Sequence, residues 1–368
     1  MVRESQSGLR HAAGHMHSVL RRARQAWPVP VLTIAAAALL AAAQAQPAPA
    51  PGATLAKGVW TKLAPMLHPQ NEAATVTIGT RIYVMGGFTL GTDGPIDRVQ
   101  IYDTAKNQWS EGTPLPDPVH HHGAALVGGK IYVVAGFHEP FPKREPIDLT
   151  WVFDPATNHW DKRAPLPSPR GAMVVGAIGN LIYAAGGEHR RPAGAPVPKG
   201  APPPYEPITD FSVYDTQTDR WSALPPMKVA RDHAYTGVIN GRFYVVGGRD
   251  RPKYDITTVE EFDPAKGSWT EKAPMPTGRS GGNAAVLGGK LYVFGGEGND
   301  ASPIGLFNEV EAFDPAANSW TRFEPMPLPR HSLIAATVGN RIYLPGGSKA
   351  RGGGANITDY VDAFEPAK

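Results

Sequence analysis

The sequence predicts an all-β chain, a six-bladed β-propeller of four-stranded antiparallel blades whose ring is closed by the N-terminal strand. Three observations predict it. Landmarks recur at fixed intervals: Trp60, Trp109, Trp160, Trp221, Trp269 and Trp320 are spaced 49, 51, 61, 48 and 51 residues apart, and Tyr83, Tyr132, Tyr183, Tyr244, Tyr292 and Tyr343 keep the same spacings. A repeat near 50 residues made of short period-2 strands, with no long helical pattern, is the mark of a propeller blade. The ends of the array are complementary: Glu365 holds the acid position with no Trp after it, and Trp60 has no acid before it. The strand at Trp60 is therefore expected to complete the last blade, which leaves no free sheet edge between the first and last blades.

The chain has 368 residues, a formal charge of +3 and no cysteine. Disulfides, thiolate metal sites and cysteine nucleophiles are excluded together. The basic excess sits at the start, where residues 1–45 carry five arginines against Glu4 alone. That stretch, the apolar run Val29–Ala43 and Ala43-Gln44-Ala45 have the three parts of a secretory signal peptide. Met16 is an alternative start that gives a leader of ordinary length. The 15-residue run is short for a membrane span, which needs about 20. Residues 1–45 are read as a signal peptide, 46–53 as a Pro/Ala linker and 54–368 as the propeller. The chain is then periplasmic or secreted, with no stable membrane span after cleavage. Without the leader, 31 basic and 32 acidic residues remain, a balance that argues against nucleic acid.

Each unit reads as four strands in order. The first is apolar and small, as in Asn283–Leu287, and ends at a Gly/Asn turn such as Gly288-Gly289, residues that accept the positive φ of a tight hairpin. The second is Ile-Tyr-Val-like and ends in Gly-Gly. The third ends in an aromatic-Asp pair, and the fourth starts at Trp, six residues after the acid. Together these features resemble the kelch repeat, over Trp60 to Phe364. The resemblance implies a scaffold of Trp and Tyr rings packed between blades, with each acid accepting hydrogen bonds in the turn before the Trp strand; a bacterial exported member is expected. One copy departs, with Ala135-Gly136 in place of Gly-Gly, and a local adjustment is expected there rather than a lost blade.

Antiparallel strands send the loops after strands two and four to one face. These loops hold the length variation, above all Glu188–Pro207 with Arg190 and Arg191, a lid or strap that reads equally as a partner-contact loop and as a disordered surface loop. Function collects on loops held by a rigid scaffold, so this face is expected to carry it. Thirteen residues before each tyrosine the blades present Gln70, Val119, Arg170, Arg231, Arg279 and Arg330; two residues later they present Glu72, His121, Ala172, His233, Gly281 and Ser332; after Gly-Gly they present Phe88, Phe137, Glu188, Arg249, Glu297 and Ser348. The expected ligand-binding set is Arg170, Arg231, His233, Arg279, Arg330, Glu188, Arg249, Glu297 and His121. Bidentate arginine contacts suit a carboxylate or sulfate; the alternative for the four ring arginines is bracing of neighbouring loops.

His120-His121-His122 cannot all ligate one ion, because adjacent residues of a strand point to opposite faces. His233 could join His121 across the mouth, but no metal and no cofactor are expected. Galactose oxidase has a kelch-type propeller, yet its copper site needs a cysteine-crosslinked tyrosine that this chain lacks. The leading expectation is a monomeric binding module for a protein, peptide or acidic glycan. The alternative is a carbohydrate-active enzyme, such as the bacterial kelch-type epimerase of sialic acid, using Glu188, Glu297, His233 and the arginines.

Overall fold

The computed structural model describes residues 54–367 apart from 93, 141–142, 198, 200–203 and 353–355. The signal peptide and linker read over residues 1–53 lie outside the described residues. Six four-stranded antiparallel sheets surround one axis. The first blade is Ala74–Ile78, Arg81–Met85, Val99–Asp103 and Gln108–Glu111, and the next four follow the same order. In the sixth blade, Ala336–Val338, Arg341–Pro345 and Val361–Pro366 are completed by Gly58–Lys62, which pairs Trp60 opposite Phe364. The expected closure is present. No helix among the described residues is long and apolar enough to cross a membrane.

The repeat residues do the work their chemistry suggests. All five turn acids accept a backbone N–H two residues on, at 2.9–3.1 Å, from Asp103 to Asp314. Trp109, Trp221, Trp269 and Trp320 donate their indole N–H to a carbonyl 44–57 residues earlier in the chain, tying four of the six blades to their predecessors. The repeat tyrosines are buried, and their rings sit in apolar clusters that draw on two adjacent blades, as where Tyr292, Phe294 and Phe364 meet. Aromatic groups suit this task because each buries roughly 150–250 Å². The Gly-Gly turn is required where it stands: a Cβ on Gly87, at φ +85°, would lie 2.0 Å from the Asn71 carbonyl oxygen.

The adjustment at Ala135-Gly136 is a β-bulge. The pairing slips between Val134 and Gly136, with Ala135 at φ 52°, and both strands then continue as the longer pair Lys130–His138 and Glu145–Asp154. A bulge adds one residue and bends the strand beyond it. In the third blade the described part of Glu188–Pro207 includes a short hairpin, Glu188–Arg190 against Tyr205–Pro207. The Tyr205 hydroxyl donates to the Arg144 carbonyl, and Arg190 pairs with Glu145. The insertion therefore rests on the lengthened hairpin of the second blade.

Candidate functional site

Two rings of residues organise the axis. One residue per blade, at the register of Glu72, His121, Ala172, His233, Gly281 and Ser332, is left-handed, with φ between 49° and 65°. This conformation turns five of the six amides onto the preceding blade. His121 donates its N–H to Glu72 O, Ala172 to His121 O, His233 to Ala172 O, Gly281 to His233 O and Ser332 to Gly281 O, at 2.5–3.1 Å. A belt of backbone hydrogen bonds thus links the blades around the axis. Just outside it, each blade adds one antiparallel bridge to the residue after its Gly-Gly position, from Asn71 to Phe88 round to His331 with Ser348.

Above the belt lies a vestibule of about 550 Å³. Its floor is Glu72, His121 and His233, and its wall includes Arg249, Glu297 and His331. Arg144, Arg251, Tyr254 and Arg351 complete the upper wall. Arg249 donates to Asp232 at 2.7 Å and pairs with Glu297, and its guanidinium lies over the Tyr254 ring at 5.3 Å. Arg351 stacks on the same ring at 4.2 Å and reaches the exposed Asp300 at 3.1 Å. Arg144 is held between the Phe137 and Tyr205 rings and meets Glu188 at 2.5 Å.

Burial and neighbours set the charges here. Burial works to raise the carboxyls of Asp232, Glu297 and Glu72. Arg249 and His233 together outweigh it at Asp232, Arg249, His331 and His233 together at Glu297, and His121, His233 and His331 together at Glu72, so all three stand below the usual carboxylate range. At Glu188 burial prevails, helped by Asp232, and the carboxyl is pushed up. Burial, then the charge of Arg249, lowers His233 to about 4. Its Nδ1 hydrogen-bonds to Asp232.

The structure divides the expected ligand-binding residues. His121, His233, Arg249 and Glu297 line the vestibule, and Glu188 stands behind Arg144, 2% exposed. Arg170, Arg231, Arg279 and Arg330 do not line it. They are 0–1% exposed and brace their own blades. Arg231 donates to the Gly247 and Thr258 carbonyls and pairs with Glu260; Arg279 donates to Gly295 O and pairs with Glu311; Arg330 donates to Leu344 O and Gly346 O and reaches Asp362 at 2.5 Å. Arg170 finds Ala184 O and Ser212 Oγ. The bracing alternative describes these four, because their guanidinium groups have no surface left to offer a ligand.

A signal for this was available in the sequence. Three residues before the aromatic-Asp acid, the third strand reads Glu260, Glu311 and Asp362 in three of the four blades that carry a ring arginine, and Ser212 in the blade of Arg170; in the first blade, where Gln70 replaces the arginine, it reads Gln100, which donates to Gln70 at 2.6 Å. Arg144, Arg251, Tyr254 and Arg351 were missed, because they stand on loops outside the repeat register. Asp232, His120 and His331 directly precede ring residues, and only the bridges above the belt bring them to the mouth.

Comparison with known proteins adds the lineage. The family model described as the KLHDC2/KLHL20/DRC7 Kelch-repeats domain matches residues 54–231 and 203–347. Kelch-like protein terF of Aspergillus terreus is 29% identical over 313 residues, 84% of this chain and 56% of that protein. An F-box/kelch-repeat protein of Arabidopsis thaliana, At2g22050, is 36% identical over 85 residues, 23% of this chain and 27% of its own length. Kelch-like ECH-associated protein 1A of Danio rerio is 31% identical over 111 residues, 29% of this chain and 16% of its own length. The chain thus spans little more than half of terF and smaller shares of the others. The recurring landmarks, the six-bladed ring and the family match over most of its length agree: the chain belongs to the kelch-repeat family.

Proposed function

We propose that this kelch propeller is a binding module that takes an acidic segment of a protein partner into its vestibule. One observation carries the reading: four guanidinium groups, from Arg144, Arg249, Arg251 and Arg351, surround one funnel on the variable-loop face. Arg144 and Arg249 are committed to buried carboxylates and shape the wall. Half-buried Arg251 and exposed Arg351 line the upper wall and supply the charge-assisted contacts. The name of the Danio rerio relative, an ECH-associated protein, fits a role in association.

The test is a fluorescence-anisotropy titration with labelled peptides rich in Asp and Glu, against their amide counterparts. Acidic peptides bind and the amides do not. Arg251→Ala and Arg351→Ala each weaken binding roughly tenfold or more, about 1.5 kcal/mol for a hydrogen bond to a charged group, and added salt weakens it further by screening. Equal binding of acidic and amide peptides would falsify the reading.

A second reading is favoured by the Asp232–His233 pair, in which a carboxylate orients an imidazole beside the vestibule. That arrangement suits acid–base chemistry on a small sugar acid, as in the carbohydrate-active alternative. Its volume lies within the range of small-molecule sites, about 300–1,000 Å³. Export belongs to the same proposal: the Arg-rich leader and apolar run of residues 1–45 support a periplasmic or secreted protein, here proposed as a monomer. Intact mass of the protein from culture fractions, with light scattering, checks both points.

A further inference from the structure

The floor of the vestibule brings together one carboxylate and two imidazoles, Glu72, His121 and His233. Asp232 accepts a hydrogen bond from His233 Nδ1, which leaves His233 Nε2 bare. His120 Nε2 donates to the Glu139 carbonyl at 2.8 Å, and its ring is packed against Phe88 and Phe137. A neutral His120 then has only a lone pair at Nδ1, so His121 must donate Nδ1–H to it. His121 Nε2 faces Glu72 Oε2 at 3.2 Å, an ion pair when the ring is protonated and two adjacent ligand atoms when it is neutral. One ligand atom from each of Glu72, His121 and His233 lies within 4.8 Å of the others. Arg249 does not fill the gap. Its one terminal nitrogen is 3.0 and 3.1 Å from the two ring nitrogens of His233, a position over the ring face rather than in line with either lone pair, and its charge is matched by Asp232 and Glu297.

We propose that Glu72, His121 and His233 bind one divalent first-row transition-metal ion on the propeller axis. Two imidazoles and a carboxylate suit zinc or iron(II), and suit magnesium or calcium poorly. The 3.2 Å between His121 Nε2 and Glu72 Oε2 is close to what two ligands adopt around an ion about 2.0–2.2 Å from each. Each ligand has its own orienting partner: Ser332 Oγ donates to Glu72 Oε1, His120 holds His121, and Asp232 holds His233. Such outer hydrogen bonds fix tautomer and direction at metal centres. The three ligands come from the left-handed ring positions of the first, second and fourth blades, while the other three positions, Ala172, Gly281 and Ser332, are small and leave room. The remaining coordination positions face the vestibule. This inference stands apart from the partner reading, since metal binding is measured with no peptide present.

The full chain, carrying no histidine tag and stripped with chelator, is titrated with Zn²⁺ by calorimetry and with Co²⁺ by visible absorption. One equivalent per chain is expected. Glu72→Gln, which keeps the hydrogen bond from Ser332, and His233→Ala each weaken that site at least about tenfold, and Asp232→Asn weakens it about 10- to 100-fold. His159→Ala, at an exposed histidine, leaves it unchanged. No stoichiometric site, equal affinity for Mg²⁺, or unaltered affinity in the Glu72 and His233 variants overturns the proposal. Should those variants unfold, wild-type protein decides: Co²⁺ bands of a low-coordinate N/O site support it, and the spectrum of the hydrated ion overturns it.

Discussion

Arg231 and Arg251 stand in one blade, twenty residues apart, and do opposite work. Arg231 is 1% exposed and its charge is spent on Glu260 and two carbonyls. Arg231→Ala therefore strands a buried carboxylate, and urea unfolding should show a loss of about 3–5 kcal/mol. Arg251 lies on the loop after Gly-Gly, in the vestibule wall. Its replacement by Ala should alter stability by less than about 1 kcal/mol while weakening acidic-peptide binding. Sequence position alone made Arg231 look like the binding residue, because a residue entering the innermost strand from the mouth can turn toward the axis or back into its blade. The carboxylate in the third strand turns it back.

At the scale of elements, buried tyrosines donate their hydroxyls to acceptors in neighbouring turns, strands and blades. Tyr102 donates to Asn107 Oδ1 at 2.6 Å, Tyr214 to Asp219 and Tyr244 to Glu261 at 2.5 Å, and Tyr235 to the Gly295 carbonyl at 3.2 Å. Burial pushes Tyr102 and Tyr235 up to about 12, and raises Tyr214 and Tyr244 as well, the latter two helped by their acidic partners. An unfolded tyrosine loses its proton near pH 10. Between about pH 10 and 12 the unfolded chain thus holds fewer protons than the folded one, so stability falls as pH rises through this window. Tyrosinate absorbance should appear together with loss of β-sheet dichroism. Smooth titration near pH 10 without unfolding would count against this account. The Gly-Gly turns are a second elemental constraint: Gly87→Ala sets a Cβ against the Asn71 carbonyl and should cost of order 1–3 kcal/mol in denaturant titrations, as for other strained backbone.

At the scale of the molecule, closure depends on Gly58–Lys62, which is remote in sequence from the rest of its blade. The Trp60 ring meets Phe294 and Phe364, so this strand joins the fifth and sixth blades as well as completing one of them. Deleting residues 54–66 should lower the thermal midpoint, expose the Val361–Pro366 edge and promote association. An unchanged midpoint and a monomeric deletion product would sink the closure argument. The belt of backbone hydrogen bonds round the axis couples neighbouring blades in the same way.

By itself the sequence determined the number of blades, the strand order within them and the closing strand. Each rests on residues whose role is local and repeats at one interval: a turn glycine, a turn acid, a tryptophan between blades. It also brought Glu72, His121 and His233 into one register. Only the tertiary structure decided which charged groups face the vestibule. Their direction depends on partners supplied by other strands and other blades, as Glu260 turns Arg231 inward and Asp232 and Glu297 hold Arg249 at the wall. Arg144, Tyr254 and Arg351 reach the mouth on loops that obey no repeat, because loop path is set by a bulge, an insertion and the packing beneath them.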